Sequence, residues 1–231
     1  ALALLLVLIP SVAMANGETL YLRPTGACAN NGNGTAYACA ASNGAVGAYI
    51  GITNIVYNVA NTAAQVDPGD KLYVCGTHTA NQMEIYQENS PALPIEIDGG
   101  CPGDPGALAP TSNNFALYIE GSYYKIHGID ISRGNNGTVQ INPDGAGGFT
   151  LVGGIELYDN RIHDGLHNTA LVFSYGTDNY FHHNYLYSGR GAGFYSKGKR
   201  NKFSYNQIDN IDLVIGGDSV QLSTEMDGSV I

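Results

Sequence analysis

A short motif, apolar-x-x-Asn-x-apolar, recurs through the second half of this chain and restricts its fold more than any other feature. It reads Leu157-x-x-Asn160-x-Ile162, then Phe181-x-x-Asn184-x-Leu186, then Phe203-x-x-Asn206-x-Ile208. An earlier copy, Ile126-x-x-Ile129-x-Ile131, keeps the apolar positions and carries Ile in place of Asn. The copies begin at residues 126, 157, 181 and 203, so successive spacings are 31, 24 and 22 residues. Each is followed by a turn residue (Gly134, Gly165, Gly189, Asn210) and then a second short β-type run: Thr138–Ile141, Ala170–Phe173, Ala192–Tyr195 and Ser219–Leu222. A repeat of this length, made of short strands, cannot bury its apolar residues alone, so the copies must stack as coils around one elongated core. The Asn lies where each copy bends, and its amide can bond the next Asn along the stack. Helical repeats are excluded because no 3.6-residue period is present, and leucine-rich repeats because Leu is too sparse.

Composition agrees with that reading. The 31 Gly and 22 Asn supply turns, and a hydrophobic fraction of 44% is enough for a core. A length of 231 residues fits one domain. Val66-Asp67-Pro68-Gly69-Asp70 reads as a turn that feeds the alternating run Lys71-Leu72-Tyr73-Val74. Met83–Gln87, Ile95–Asp98 and Ala116–Glu120 are further strand candidates.

The N-terminal ALALLLVLIPS reads as the apolar region of a signal peptide, with Ala13-Met14-Ala15 as its cleavage site and the cut before Asn16. With no initiator Met and no basic segment before it, the sequence is expected to begin inside that peptide. The closing Asp227-Gly228-Ser229-Val230-Ile231 reads as the opening of another coil with nothing to cap it, so truncation at both ends is expected. The expected division is a signal peptide over 1–15, a disulfide-bearing cap over 16–65, and stacked coils over 66–231. A secreted protein is expected, whether extracellular, cell-surface or periplasmic, and no other apolar run approaches a membrane span. Cys28, Cys39, Cys75 and Cys101 suit an oxidising compartment. The nearest pairing is Cys28–Cys39 with Cys75–Cys101, although four cysteines allow three connectivities. No Cys-x-x-Cys pair supports zinc. Asn33-Gly34-Thr35 and Asn136-Gly137-Thr138 are glycosylation sequons.

The net charge of −10 argues against a nucleic-acid partner. The cations, however, are unevenly placed. Of ten Lys and Arg, five are Arg190, Lys197, Lys199, Arg200 and Lys202, and no Asp or Glu occurs from Asn179 to Ile208. The same stretch holds Tyr180, His182, His183, Tyr185, Tyr187, Tyr195 and Tyr205. If Phe181, Phe194 and Phe203 face the core, then His182, His183, Tyr195 and Tyr205 largely face outward. A cationic, aromatic strip on an acidic exported protein suits an acidic polysaccharide: Tyr faces stack on sugar rings and guanidinium or ammonium groups pair with uronate carboxylates. Arg190, Lys199, Arg200 and Tyr205 are the substrate-binding candidates.

In the Asn160, Asn184 and Asn206 repeats, and in Pro68-Gly69-Asp70 leading into Leu72-Tyr73-Val74, the chain resembles the pectate-lyase-like superfamily. The resemblance covers roughly residues 66–231. It implies an all-β, single-stranded right-handed parallel β-helix behind an N-terminal capping segment, and a monomer. It also implies cleavage of an acidic polysaccharide by β-elimination, in which a base removes the proton beside the uronate carboxylate and an acid protonates the leaving oxygen. Phe194-Tyr195-Ser196-Lys197-Gly198 is similar to the Lys-bearing strand of the chondroitinase-B and alginate-lyase type. On that likeness Lys197 is the candidate base, with Tyr195 and His183 as further proton-transfer candidates. In those enzymes acidic residues just before the Lys hold Ca²⁺; here residues 190–196 contain no acid. Ca²⁺ is the one cofactor the resemblance raises, and no metal ligand is assigned, although His163, Asp164 and His167 share a loop. Two other readings stand beside the lyase. One is a non-catalytic surface or adhesin-type coil. The other is a polygalacturonase-like hydrolase, for which Gly217-Asp218-Ser219-Val220 and the carboxylates Asp159, Asp164 and Asp218 are the pool.

Overall fold

The computed structural model describes residues 17–52, 66–86, 89–111, 115–141, 153–166, 170–211 and 220–222. The segment 1–15, His167, Asp218 and the closing residues 227–231 lie outside them. Strands β1 (Thr19–Arg23) and β2 (Tyr49–Ile50) come first. Three strands per turn of the chain then follow: β3 (Lys71–Val74), β4 (Thr77–His78) and β5 (Met83–Ile85); β6 (Ile95–Asp98), β7 (Ala107–Leu108) and β8 (Leu117–Ile119); β9 (Tyr124–His127), β10 (Asp130–Ser132) and β11 (Val139–Ile141). The series continues with β12 (Glu156–Tyr158), β13 (Arg161–His163) and β14 (Val172–Ser174); β15 (Tyr180–His182), β16 (Tyr185–Tyr187) and β17 (Phe194–Ser196); and β18 (Lys202–Ser204), β19 (Gln207–Asp209) and β20 (Val220–Leu222).

The first strand of each coil joins one sheet (A), the second another (B), and the third a third (C); within each sheet, strands of successive coils lie side by side. All these pairings are parallel, including β1 on β3. The chain is thus a parallel β-helix, and the crossover rule for parallel strands gives it a right-handed sense. The motif seen in the sequence is two strands rather than one bent strand: Leu157 lies on sheet A and Ile162 on sheet B, with the Asn at the corner between them.

Register places like residues on like. Leu72, Ile97, Ile126, Leu157, Phe181 and Phe203 form one inward column on sheet A. Met83, Leu117, Val139, Val172 and Phe194 form another on sheet C. Every member of these two columns is buried, and each such side chain stabilises the coil by about 1.5–3 kcal/mol relative to exposure. Phe181, Phe194 and Phe203 pack ring on ring at centroid distances of 5.0–5.5 Å. Two disulfides, Cys28–Cys39 and Cys75–Cys101, tie the N-terminal region. Among the described residues no helix is long and apolar enough to cross a membrane.

Corners are the difficult part of such a coil, because the backbone leaves the sheet ladder there while still inside the stack. At the A-to-B corner Gly128, Asp159, His183 and Tyr205 take the same left-handed conformation, with φ of 68°, 53°, 55° and 54°. Three of the four carry side chains, at a cost of roughly 1–2 kcal/mol each. The next residue compensates. Asn184 Oδ1 accepts from the backbone N–H and the Nδ2 of Asn160, both at 3.1 Å, and Asn206 Oδ1 accepts from the same two groups of Asn184 at 3.0 Å. Each amide also donates back to a sheet A carbonyl: Asn160 to Ile126, Asn184 to Leu157 and Asn206 to Phe181. The ladder ends where Ile129, with no amide to offer, donates its backbone N–H to Asn160 Oδ1.

A second ladder, at the C-to-A corner, is absent from the sequence reading. Asn179 Oδ1 accepts from Ile155 N–H, and Asn201 Oδ1 accepts from Asn179 N–H. Their amides donate to Ser174 and Ser196 hydroxyls at 3.2 and 2.9 Å, filling positions that Ile119 and Ile141 occupy in earlier coils.

Two outcomes follow for stability. Asn184→Ala leaves the buried backbone N–H of Asn160 and the Leu157 carbonyl without the bonds that Asn184 makes to them, and takes one of two donors from Asn206 Oδ1; unmet buried groups cost about 1–3 kcal/mol each. Chemical denaturation should show a loss of roughly 3 kcal/mol or more, and a smaller one for Asn206→Ala, whose side chain is only half buried. Equal, small losses would contradict the ladder's role. The second outcome concerns His78, which stands in the sheet B core column under Leu108. Burial pushes its imidazole down to about 4, against a weaker upward pull from the Cys75 backbone. Because the unfolded chain takes up this proton first, stability is full above about pH 6.5 and falls as pH drops toward 4, by on the order of 3 kcal/mol. The melting temperature of His78→Leu should lack that component; identical pH profiles would contradict it.

Candidate functional site

Side chains that alternate with the core columns form three outer faces. Sheet A carries the rows Lys71, Glu96, Lys125, Glu156 and Tyr73, Asp98, His127, Tyr158, His182. Charges alternate along the first row, and the groups satisfy one another. Lys71 Nζ lies 2.7 Å from both Glu96 and Asp98; His127 Nε2 lies 3.0 Å from Glu96, and His182 Nε2 lies 3.0 Å from Glu156. Burial acts to raise Glu96 and Asp98, but hydrogen bonds from Lys71, reinforced by His127 and the Gly100 N–H, outweigh it and hold both below the ordinary carboxylate range. The rings stack face to face, His127 on Tyr158 at 4.6 Å and Tyr158 on His182 at 5.0 Å. Their faces are therefore used up within the protein.

Glu96, Asp98 and His127 are a metal-capable group that the sequence reading missed, with ligand atoms within 4.8 Å of one another. The signal was an i, i+2 carboxylate pair on one strand and a His one coil on. Lys71 already supplies the positive charge there, touching both carboxylates, so the donor set does not call for a cation.

Sheet C presents a different surface. Tyr118, Gln140, Phe173 and Tyr195 form its outward row, and Tyr175 and Lys197 stand one step beyond the strands. The rings of neighbouring strands are splayed, Phe173 and Tyr195 meeting at 60° and Tyr175 and Tyr195 at 65°, while Phe173 and Tyr175 lie parallel with centroids 6.4 Å apart. These rings are half-buried. Lys197 Nζ lies 5.5 Å from the Tyr175 ring centroid and 5.9 Å from that of Tyr195. At the N-terminal end the row is acidic, with Tyr86 donating to Glu84 at 2.8 Å and Tyr118 to Glu120 at 2.9 Å. Burial, then these carboxylates, raise both phenols well above their ordinary value. The face thus runs from carboxylates to a lysine along the coil axis.

The sequence-derived candidates divide among these faces. Lys197 and Tyr195 share sheet C. His183 and Tyr205 are left-handed residues of the A-to-B corner, stacked on each other at 5.1 Å, with Tyr205 81% exposed and His183 bonded to His182. Arg200 is the equivalent residue of the C-to-A corner and makes a bidentate pair with Asp178. Lys199 is exposed beside it, and Arg190 lies at the B-to-C corner. Asp159 and Asp164 are corner residues, and Asp164 Oδ2 accepts from His163 Nδ1 at 2.9 Å. Tyr175, which the sequence reading did not single out, is brought beside Lys197 from the neighbouring coil. Among the described residues, neither β17 before Lys197 nor the stacked strand 172–175 carries a carboxylate, so no Ca²⁺ ligands are assigned beside Lys197.

Tyr175 and Lys197 are each followed by Gly, and there the two coils approach closely. A Cβ on Gly198 would stand 1.6 Å from the Gly176 carbonyl oxygen. Gly198→Ala must separate the coils, with an expected loss of roughly 2 kcal/mol or more in urea unfolding. Wild-type stability would show that the approach does not set this spacing.

No protein-family model and no curated protein matches the chain. Among solved structures, the chain is similar to an alginate lyase from Paenibacillus sp. str. FPU-7, with a TM-score of 0.62 and 16% sequence identity, over 78% of this chain. The match spans 62% of the length of that enzyme. At this identity the likeness is one of fold.

Proposed function

We propose that this is an exported, pectate-lyase-like protein that cleaves an acidic, uronate-containing polysaccharide by β-elimination on the outer face of sheet C. The observation that carries the reading is Lys197 set over the rings of Tyr175 and Tyr195, on a fold shared with an enzyme of that class. The two disulfides and the apolar N-terminal segment support export.

In this reading the tyrosine and phenylalanine faces carry the sugar rings, and cations meet the carboxylates. Lys197, in its neutral form, takes the proton on the carbon next to the carboxylate. The electron pair left behind forms the new C–C double bond as the glycosidic C–O bond breaks. Tyr195 or Tyr175 donates its hydroxyl proton to the departing oxygen, so one chain end is an unsaturated uronate and the other an ordinary sugar hydroxyl. His183, Lys199, Arg200 and Tyr205 sit at corners away from this face, where they meet flanking sugars rather than the reacting bond.

The test is ultraviolet absorbance of the unsaturated product, with pectate, alginate, chondroitin and hyaluronan as substrates. The wild type should give a rise on at least one of them, reduced roughly 10²–10⁴-fold in Lys197→Ala. A rise that survives the substitution moves the chemistry elsewhere. Reducing ends without absorbance would mean hydrolysis, and binding without either would make the coil a surface scaffold.

A further inference from the structure

A cavity of about 520 Å³ opens at the corner between sheets B and C, lined by Pro110, Arg133, Asp164, Leu166, Ser188 and Arg190 among others. Its size is in the range that holds a drug-sized ligand. The fold builds it from one repeated position. Arg133, Asp164 and Ser188 directly follow β10, β13 and β16, and all three are left-handed, with φ of 69°, 53° and 53°. Each therefore turns its side chain out of the same corner in successive coils, about 4.8 Å apart along the axis. Arg190 belongs to the same corner and donates to the Leu166 carbonyl at 3.5 Å.

The charge here is unlike that of the rest of the molecule. Arg133 and Arg190 are exposed, and among the described residues neither meets a carboxylate within ion-pair distance. The one carboxylate of the lining, Asp164, is engaged by His163, whose other ring nitrogen lies 2.7 Å from Asp130. Two forked guanidiniums are thus presented together on a chain of net charge −10. Beside them is the half-exposed Leu166 over the buried Pro110, with the hydroxyls of Ser188 and Thr111. A bare inorganic anion would use the guanidiniums alone. A carboxylated sugar uses all three kinds of surface: carboxylate on Arg, ring C–H on Leu166, hydroxyls on Ser188 and Thr111.

We propose that this corner cavity is a remote subsite for uronate residues of the polysaccharide, separate from the reacting centre on sheet C; the assignment rests on the acidic-polysaccharide reading above. The whole of β17 (Phe194–Ser196) lies between Arg190 and Lys197, about 10 Å of strand, so the sugars that the corner holds flank the bond being cleaved and do not include it. Contacts that far away are the same in ground and transition states. They lower KM for long chains without changing kcat, and short chains cannot reach them.

The experiment pairs Arg133→Gly, which keeps the left-handed backbone free of strain, with Arg190→Ala. Thermal melts confirm folding, and Arg133→Lys/Arg190→Lys serves as a milder variant. Oligogalacturonates and oligomannuronates of increasing length, with neutral oligosaccharides as controls, are titrated by calorimetry against these variants made in a Lys197→Ala background. KM and kcat are measured with Lys197 intact. The expected result is about 10–100-fold weaker binding of long oligouronates, an intermediate loss for the lysine pair, and no change for the shortest bound oligomer, for the neutral controls or for kcat. Unchanged binding of long oligomers would overturn the subsite while leaving the lyase reading standing. An equal loss at every length, or a fall in kcat, would overturn it by placing the arginines at the reacting centre. Length-dependent binding in a protein that cleaves nothing would uphold the subsite and overturn the lyase. Failure of the wild type to bind any oligouronate would overturn both.

Discussion

A polypeptide that turns a corner inside a stack of coils must satisfy backbone amides that no strand can reach, and the buried asparagines of this chain meet that demand. Each one follows a left-handed corner residue; Asn184 accepts from Asn160 and donates both to Leu157 in that same coil and to Asn206 in the next. Because both bonds require the next amide to be at the same height, the ladder also locks register between coils. Register in turn decides everything outside the core. A shift of one residue would exchange the inward and outward sets on every strand.

The three outer faces then acquire different characters from the same geometry. On sheet A, charges of opposite sign alternate and rings lie flat on one another, so the face is internally neutralised and serves the coil itself. On sheet C the rings are splayed and the charge runs from Glu84 and Glu120 to Lys197. At the corner between sheets B and C, left-handed residues project side chains that the sheets cannot cover, and three of them, Arg133, Asp164 and Ser188, border a cavity with Arg190. The two surfaces offered to a ligand, sheet C and the corner between sheets B and C, are neighbours around the coil.

The architecture was legible in the sequence because its period is carried by the residues under the strictest demand. Asn160, Asn184 and Asn206 must be Asn, and Phe181 and Phe203 must be apolar, so a pattern shows. The second ladder was equally regular, Ser174 with Asn179 and Ser196 with Asn201, but two copies of small polar residues look like ordinary turns. The candidate site was less legible for a reason of geometry. The run from Arg190 to Lys202 looks like one basic patch, yet the chain passes through a corner, a face and another corner within it, so Arg190, Lys197 and Arg200 point three ways. Residues that do become neighbours, such as Tyr175 with Lys197 or Arg133 with Asp164, lie a full coil apart. That distance follows from the loops, and loop length varies from coil to coil.

The central claim is that an acidic chain lies across the splayed rings of sheet C, and a crystal structure of Lys197→Ala soaked with an oligouronate tests it most directly. The account predicts sugar rings over Tyr175 and Tyr195, with a carboxylate-bearing carbon facing the place vacated by Lys197. Sugar bound instead along sheet A, or a sheet C face left bare while the oligomer sits elsewhere, would contradict it.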